Sequence, residues 1–327
     1  MNDTLGVLIT NLGTPAAPTA HALRKYLSEF LGDSRVVEIP QPIWWLILHG
    51  IILRVRPKRS AELYQKIWTL DGSPLLVNSQ KLVNTVQAQL AKEQNQTIKV
   101  VLGMRYGQPS LSQALTELQK AGCGKILILP LFPQYAAATT ASIFDAVAKI
   151  FKKWRVIPEL KLLTQYHANP AYITAIAESV RQHWQQHGQQ HLLFSFHGLP
   201  QRCVDLGDPY QQQCLNTAQL ITKQLELTQE QWSVVFQSRF GRAQWLQPYC
   251  DITLQKMPEK GIKNINVICP GFAVDCLETL EEINQLNREL FLKAGGKEFH
   301  YIPCLNASEL QVNLIKHLII EQMSIPH

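Results

Sequence analysis

The sequence predicts an α/β protein with two domains built around parallel sheets, and three observations lead there. Short apolar, β-branched runs alternate with longer amphipathic stretches over most of the chain, the signature of βαβ units with right-handed crossovers. Continuous apolar runs such as ILILPLF belong to strands covered on both faces. Four candidate strands precede residue 165 and four follow it. The 327 residues, 46% hydrophobic and 17% charged, suffice for two cores.

The first four expected strands are Leu5–Thr10, Ile98–Met104, Lys125–Leu129 and Val156–Leu160. The second four are Leu192–Phe196, Val234–Gln237, Ile265–Cys269 and Phe299–Tyr301. Helical periodicity marks Ser79–Glu93, Leu111–Ala121, Ala141–Phe151, Ala171–His187, Gln211–Leu225 and Glu278–Leu292. A last helix, Ser308–Gln322, is expected to pack back on the first domain. The resulting division is 1–165, 166–305 and a terminal helix in 306–327. The two halves show no clear residue-level repeat, so any duplication is architectural.

Composition narrows the function classes. The net charge of +6 is mild and partly concentrated in Arg54, Arg56, Lys58 and Arg59. No long basic stripe with interleaved aromatics occurs, which disfavours nucleic acid and favours an anionic small molecule or membrane surface. Seven scattered cysteines without a CxxC pair point to reduced, mostly buried thiols rather than a disulfide framework or zinc ribbon. The segment MNDTLGVLITNLGTP lacks the basic and apolar regions of a secretory signal. A cytoplasmic location is expected, with peripheral contact at the inner membrane face as an added possibility.

In parallel sheets, ligands bind beyond the carboxyl ends of the strands and often between domains. That rule gathers Asn11–Thr14, Arg105–Tyr106, Pro133–Tyr135, His197–Leu199, Gln237–Arg239 and Pro270–Asp275 around one expected cleft. TNLGTP carries Gly13 after a strand but fits neither a dinucleotide nor a phosphate-loop motif. His197, in LLFSFHGLP, ends an apolar strand. It reads either as a hydrogen-bonded structural histidine or as a base and transition-metal ligand. No GxSxG elbow is present, which argues against hydrolase chemistry.

In CPGFAVDCLETLEEINQL, Asp275, Glu278 and Glu282 are spaced by three and four, so a helix starting there aligns them on one face. Asp275 is also an ordinary capping residue. Stacked Glu278 and Glu282 repel unless solvated, protonated or holding a cation, and carboxylate with imidazole suits ferrous iron. Pro40–Arg59, PQPIWWLILHGIILRVRPKR, holds an apolar run too short to span a bilayer, interrupted by His49 and Gly50 and followed by four cations. It reads as a buried helix, a membrane-interface element or the lip of a pocket for a flat apolar ligand.

Together these segments resemble the ferrochelatase family, in its bacterial form, over almost the whole chain. The resemblance rests on NLGTP at Asn11–Pro15, YLSEFLGDSRVVEIP at Tyr26–Pro40, GSPL at Gly72–Leu75 and GMRYGQP at Gly103–Pro109. PLFPQYAAATTAS at Pro130–Ser142, SFHGLP at Ser195–Pro200 and GDPY at Gly207–Tyr210 continue it in order. QSRFGRAQWLQPY at Gln237–Tyr249 and VDCLETLEE at Val274–Glu282 complete it. The resemblance implies two similar Rossmann-like domains of the chelatase kind, each a four-stranded parallel sheet flanked by helices, with the active cleft between them.

It also implies insertion of Fe(II) into protoporphyrin IX to give protohaem, a lyase reaction ending haem biosynthesis. His197 and Glu278 match the family's catalytic, metal-handling pair. Leu12, Tyr64, Ser73, Arg105, Tyr106 and Trp245 match its porphyrin pocket, and Asp275 and Glu282 its acidic path. Arg105 is expected to pair with a substrate propionate, and Pro40–Arg59 matches a hydrophobic lip that faces the bilayer in membrane-associated relatives.

Two departures are visible. Cys276 stands where many relatives have histidine, and Leu286 stands where the acidic row often continues. No cofactor is expected to be bound permanently, iron being a substrate. No [2Fe–2S] cluster is expected either, because no cysteine follows Cys304. The sequence leaves the oligomeric state open. It also leaves coproporphyrin or sirohydrochlorin as alternative substrates, although Trp44, Trp45 and Trp245 favour a more apolar porphyrin. A carrier that binds a tetrapyrrole or metal without chemistry remains the non-enzymatic alternative.

Overall fold

A computed structural model describes residues 4–93, 97–241 and 243–324. The outermost residues of the predicted segments 1–165 and 306–327 fall outside that range. The chain divides into two compact units. One comprises residues 1–132, 136–164 and 307–327, the other 133–135 and 165–306.

In the first unit β1 (Leu5–Thr14), β2 (Ile98–Gly107), β3 (Lys125–Pro130) and β4 (Glu159–Leu162) form an all-parallel sheet in the order β2-β1-β3-β4. In the second, β5 (His191–His197), β6 (Trp232–Gln237), β7 (Asn264–Ile268) and β8 (Glu298–Ile302) repeat that topology as β6-β5-β7-β8. In each sheet the first strand is central and the next crosses to its outer side. The chain order therefore reverses beside β1 and β5, which places the switch-point crevice at their carboxyl ends.

The central strands are buried on both faces, as their unbroken apolar sequences require. One first-unit core cluster joins Leu8, Ile126 and Ile128 to Leu115 and Leu118 of helix Leu111–Lys120 and Ile143 of helix Ser142–Phe151. A second-unit cluster joins Leu193, Val235 and Val267 to Leu254 and Phe291. Burying each such side chain contributes roughly 1.5–3 kcal/mol. Helix Leu111–Lys120 starts where its sequence directs: the Ser110 hydroxyl accepts from the Gln113 amide while the Gln113 side chain accepts from the Ser110 amide. Helix Glu309–Ser324 belongs to the first unit, where Lys316 Nζ donates to Gln89 and Glu93 of helix Pro74–Glu93.

Several expected boundaries move. β1 and β2 run beyond Thr10 and Met104 because Gly13, at φ 112°, and Gly107, at φ 80°, let the two strands stay paired to their ends. A β-carbon on Gly13 would lie 1.8 Å from the Tyr106 carbonyl oxygen. β4 begins at Glu159, not Val156, since Val156 and Ile157 are exposed and Pro158 has no N–H to donate. The helix Ala20–Leu31, absent from the sequence reading, is announced by the Thr19 cap and by Leu23, Tyr26, Leu27 and Leu31 on one buried face.

The expected α-helix over Glu278–Leu292 is π-helical from Glu278 to Asn287 and α-helical only from Arg288. π-Helical turns are rare and cluster at functional sites. Among the described residues, Leu48–Ile52 and Ala137–Ala141 are π-helical as well. The region 40–59 is thus helical nearly throughout, as Gln41–Ile47, the Leu48–Ile52 turn and Leu53–Ile67.

Candidate active site

In the second unit, β5 delivers His197 half-buried at its carboxyl end, paired in register with Gln237 of β6. The Gly198 amide donates to the Gln237 carbonyl at 2.7 Å, and a β-carbon on Gly198 would meet that oxygen at 2.8 Å. Only glycine fits this close approach. The ring nitrogen His197 Nδ1 lies 2.6 Å from the Gly198 carbonyl. A carbonyl only accepts, so Nδ1 carries a proton and the second ring nitrogen, Nε2, is left for other partners. Nε2 has no hydrogen-bond partner among the described residues.

The π-helical segment after β7 supplies two carboxylates. Glu282 Oε1 accepts from the Ser238 amide at 2.8 Å. Its Oε2 accepts from the Ser238 hydroxyl and, at 3.3 Å, from Gln237 Nε2. The same Gln237 Nε2 donates to the Glu278 carbonyl at 2.9 Å. Burial is the main reason the Glu282 carboxyl sits above the ordinary carboxylate range. The Ser238 hydrogen bonds and the His197 imidazole oppose that rise, while the Glu278 charge adds to it. Glu282 therefore feels both His197 and Glu278 electrostatically. Sequence reasoning placed Gln237 and Ser238 at the expected cleft but gave neither a chemical role. The QSRFGRAQW motif contained both, but hydrogen-bonding partners across two strands and a helix are not a sequence pattern.

Asp275 departs from the expected acidic row. Its side chain accepts from Tyr301, Thr279 and Asn306 at 2.5–3.0 Å, and its own amide donates to Asn306 at 2.8 Å. It is 5% exposed and ties β8 to the loop before the π-helical segment. It precedes the first helical residue, so the spacing of three that suggested a shared face with Glu278 does not apply. Leu286 is exposed, and the row holds Glu278 and Glu282. The Cys276 thiol is pushed up by burial and by the Glu278 charge and stays protonated, a poor metal ligand in that form. Trp245, half-buried, packs 3.3 Å from where a Gly198 β-carbon would sit and donates from Nε1 to the Phe240 carbonyl.

In the first unit, Leu12, Ser73, Arg105 and Tyr106 sit at or near the carboxyl ends of β1 and β2, while Tyr64 lies on helix Leu53–Ile67. Leu12 is half-buried on β1; Ser73 is buried and accepts from the Thr14 hydroxyl at 2.8 Å; Tyr64 is 8% exposed. Arg105 meets Asp33 at 2.5 Å and donates from Nε to the Ser142 hydroxyl and carbonyl. Tyr106, 2% exposed, donates to Asp33 at 2.8 Å and packs edge-on against Phe30. Burial alone would raise the Asp33 carboxyl. Hydrogen bonds from Ser142, the Arg35 amide and Tyr106, with the Arg105 charge, outweigh it and hold the group below the ordinary range. Tyr106 is thus buried beneath the surface, and Asp33 and Ser142 commit much of the Arg105 guanidinium.

The ferrochelatase family profile matches residues 4–323. The chain belongs to the ferrochelatase family. A ferrochelatase of Nitrosococcus oceani is 52% identical over 96% of this chain and 86% of its own length. Ferrochelatase 1 of Shewanella oneidensis is 51% identical over 97% of this chain and 95% of its own. Among solved structures, SirB from Bacillus subtilis with Fe3+ superposes with a TM-score of 0.59 at 11% identity, covering 99% of this chain and 96% of its own. CbiX of denitrifying bacteria, an enzyme of sirohaem synthesis, gives 0.54 at 13% identity, covering 98% and 100%. These two likenesses concern the fold alone. As a ferrochelatase, the chain is a metal-insertion lyase of haem biosynthesis, forming protohaem by inserting iron into a porphyrin.

Proposed function

We propose that the porphyrin is metallated at the carboxyl edge of the second sheet, with His197 and Glu278 as its catalytic and metal-handling residues and Glu282 behind them. The observation that carries this is the His197 ring: Nδ1 is committed to the Gly198 carbonyl, which leaves Nε2 for chemistry, and Glu282 lies within electrostatic reach of both His197 and Glu278. Inserting Fe(II) releases both pyrrole protons, so the site needs a neutral base and a route for positive charge. Nε2 takes a pyrrole proton or holds iron transiently; Glu278 and Glu282 attract the hydrated cation and carry protons away. Bending the macrocycle exposes a pyrrole lone pair and favours the metallation transition state. By the family resemblance, Leu12, Tyr64, Ser73, Arg105, Tyr106 and Trp245 are the substrate-binding residues. Among the described residues no three of His, Cys, Asp and Glu are grouped to hold a metal ion.

Protoporphyrin IX is the substrate this reading favours over coproporphyrin, because the lip at 40–59 is long and apolar. Anaerobic Fe(II) insertion with each porphyrin tests it. A higher kcat/KM for protoporphyrin supports the assignment, and a preference for coproporphyrin overturns it.

No described helix is long and apolar enough to cross a membrane. The lip instead suits peripheral contact with an anionic bilayer. Ile43, Trp45, Leu46, Ile51 and Val55 are 57–70% exposed, and Arg54, Lys58 and Arg59 follow on exposed positions of the same helical stretch. Trp44 is half-buried and its Nε1 donates to the Leu31 carbonyl at 2.6 Å, so it anchors the lip. The membrane test therefore uses Trp45→Ser with Leu46→Ser. The double variant should lose co-sedimentation with phosphatidylserine liposomes, and binding equal to the parent, or absent in both, sinks the membrane role.

A further inference from the structure

Gln237 is 2% exposed at the end of β6, opposite His197 in register. Its Oε1 accepts from the Ser195 hydroxyl at 2.7 Å and from the Cys269 thiol at 3.8 Å. Two donors on Oε1 fix the amide orientation, so Nε2 must face the π-helical segment, where it reaches the Glu278 carbonyl and Glu282 Oε2. Ser195 and His197 alternate onto the same face of β5, which makes Gln237 a bridge from the histidine's strand to the acidic helix.

Ser238 follows with φ +64°, a left-handed conformation that a non-glycine residue holds at a cost of about 1–3 kcal/mol. In that conformation its amide and hydroxyl both donate to Glu282. A glycine would adopt the same backbone without strain. What serine adds is one hydroxyl, and that hydroxyl donates to the buried carboxylate.

We propose that Ser238 and Gln237 are positioning residues for iron insertion: together they hold the Glu282 carboxylate in one rotamer at the end of β6, whose last residue pairs in register with His197. This rests on the reading of Glu282 as part of the cation path. Three donors occupy much of a carboxylate's accepting capacity and remove its freedom to swing away from the incoming metal.

The experiment uses the full chain with Ser238→Ala, Ser238→Gly, Glu282→Gln and the double variant Ser238→Ala/Glu282→Gln. Initial rates are measured against Fe(II) at saturating porphyrin, and against porphyrin at fixed Fe(II). A charge-assisted hydrogen bond is worth enough to raise the KM for Fe(II) about tenfold in Ser238→Ala and Ser238→Gly, with the porphyrin KM unchanged. Glu282→Gln raises it at least as far, and the double variant adds nothing. Ser238→Gly is the structural control, because it relieves strain and should melt no lower than the parent. Parental iron kinetics in Ser238→Gly would overturn the positioning role. Parental kinetics in Glu282→Gln would instead overturn the cation-path reading, and the proposal with it. A double variant worse than either single by the product of their effects would show that the two residues act independently.

Discussion

At the end of β2, Arg105 and Tyr106 close onto Asp33 and Ser142; at the end of β5, His197 keeps one ring nitrogen without a partner among the described residues. Both places lie at the carboxyl edge of a four-stranded parallel sheet with the same strand order. The first is a network in which Asp33 receives Arg105, Tyr106, Ser142 and the Arg35 amide, and its carboxyl stays ionised. In the second, burial works against the charge of Glu282, and His197 Nε2 has no hydrogen-bond partner among the described residues. Duplicated topology supplies the same crevice twice. The difference lies in which polar groups remain unsatisfied, and chemistry needs unsatisfied groups.

The comparison breaks most readily at His197. Removing a positioned acid–base group costs about 10²–10⁴ in rate, so His197→Ala should lose Fe(II) insertion by that factor. Its midpoint of thermal unfolding should stay near the parent's, because the ring's one hydrogen bond is to the adjacent residue. Near-normal turnover would take His197 out of the mechanism.

In the closed network the expected loss is stability. Asp33→Ala leaves the Arg105 guanidinium, 20% exposed, without its counter-charge, and breaking such a pair costs about 3–5 kcal/mol. Urea denaturation reads this directly, and a loss below about 1 kcal/mol would mean the pair behaves as a surface one.

The smallest effect is in pH. Folding lowers the Asp33 carboxyl below its ordinary 3.8, so its contribution is complete above that value and disappears as pH falls through the folded one. The stability gap between the parent and Asp33→Asn should be constant from neutral pH down to about pH 5, then narrow below 3.8. A gap that widens in acid would reverse the sign of the argument.

Most strands were legible because parallel β-structure writes itself as continuous apolar runs, and β3 and β5 emerge within a residue or so of their ends. The β1 and β2 extensions were hidden because Asn11, Gly13 and Gly107 look like turn formers until paired strands bring a carbonyl onto Gly13. Local patterning points at His197, Glu278 and Glu282, since histidine at a strand end and carboxylates four apart are visible in one dimension. The hydrogen-bonded setting of Asp275 was hidden for the same reason: its partners Tyr301 and Asn306 lie 26 and 31 residues away.

Periodicity, composition and motif order alone determined the α/β class, the four-plus-four strands and the family resemblance, because each is a property of neighbours along the chain. Only tertiary structure decided the π-helical form of Glu278–Asn287, the His197 Nδ1 hydrogen bond, the fate of Asp275 and the roles open to Gln237 and Ser238. These depend on hydrogen-bond accounting between segments far apart in sequence. A donor's partner is set by where the chain returns, and a sequence does not record distance through space.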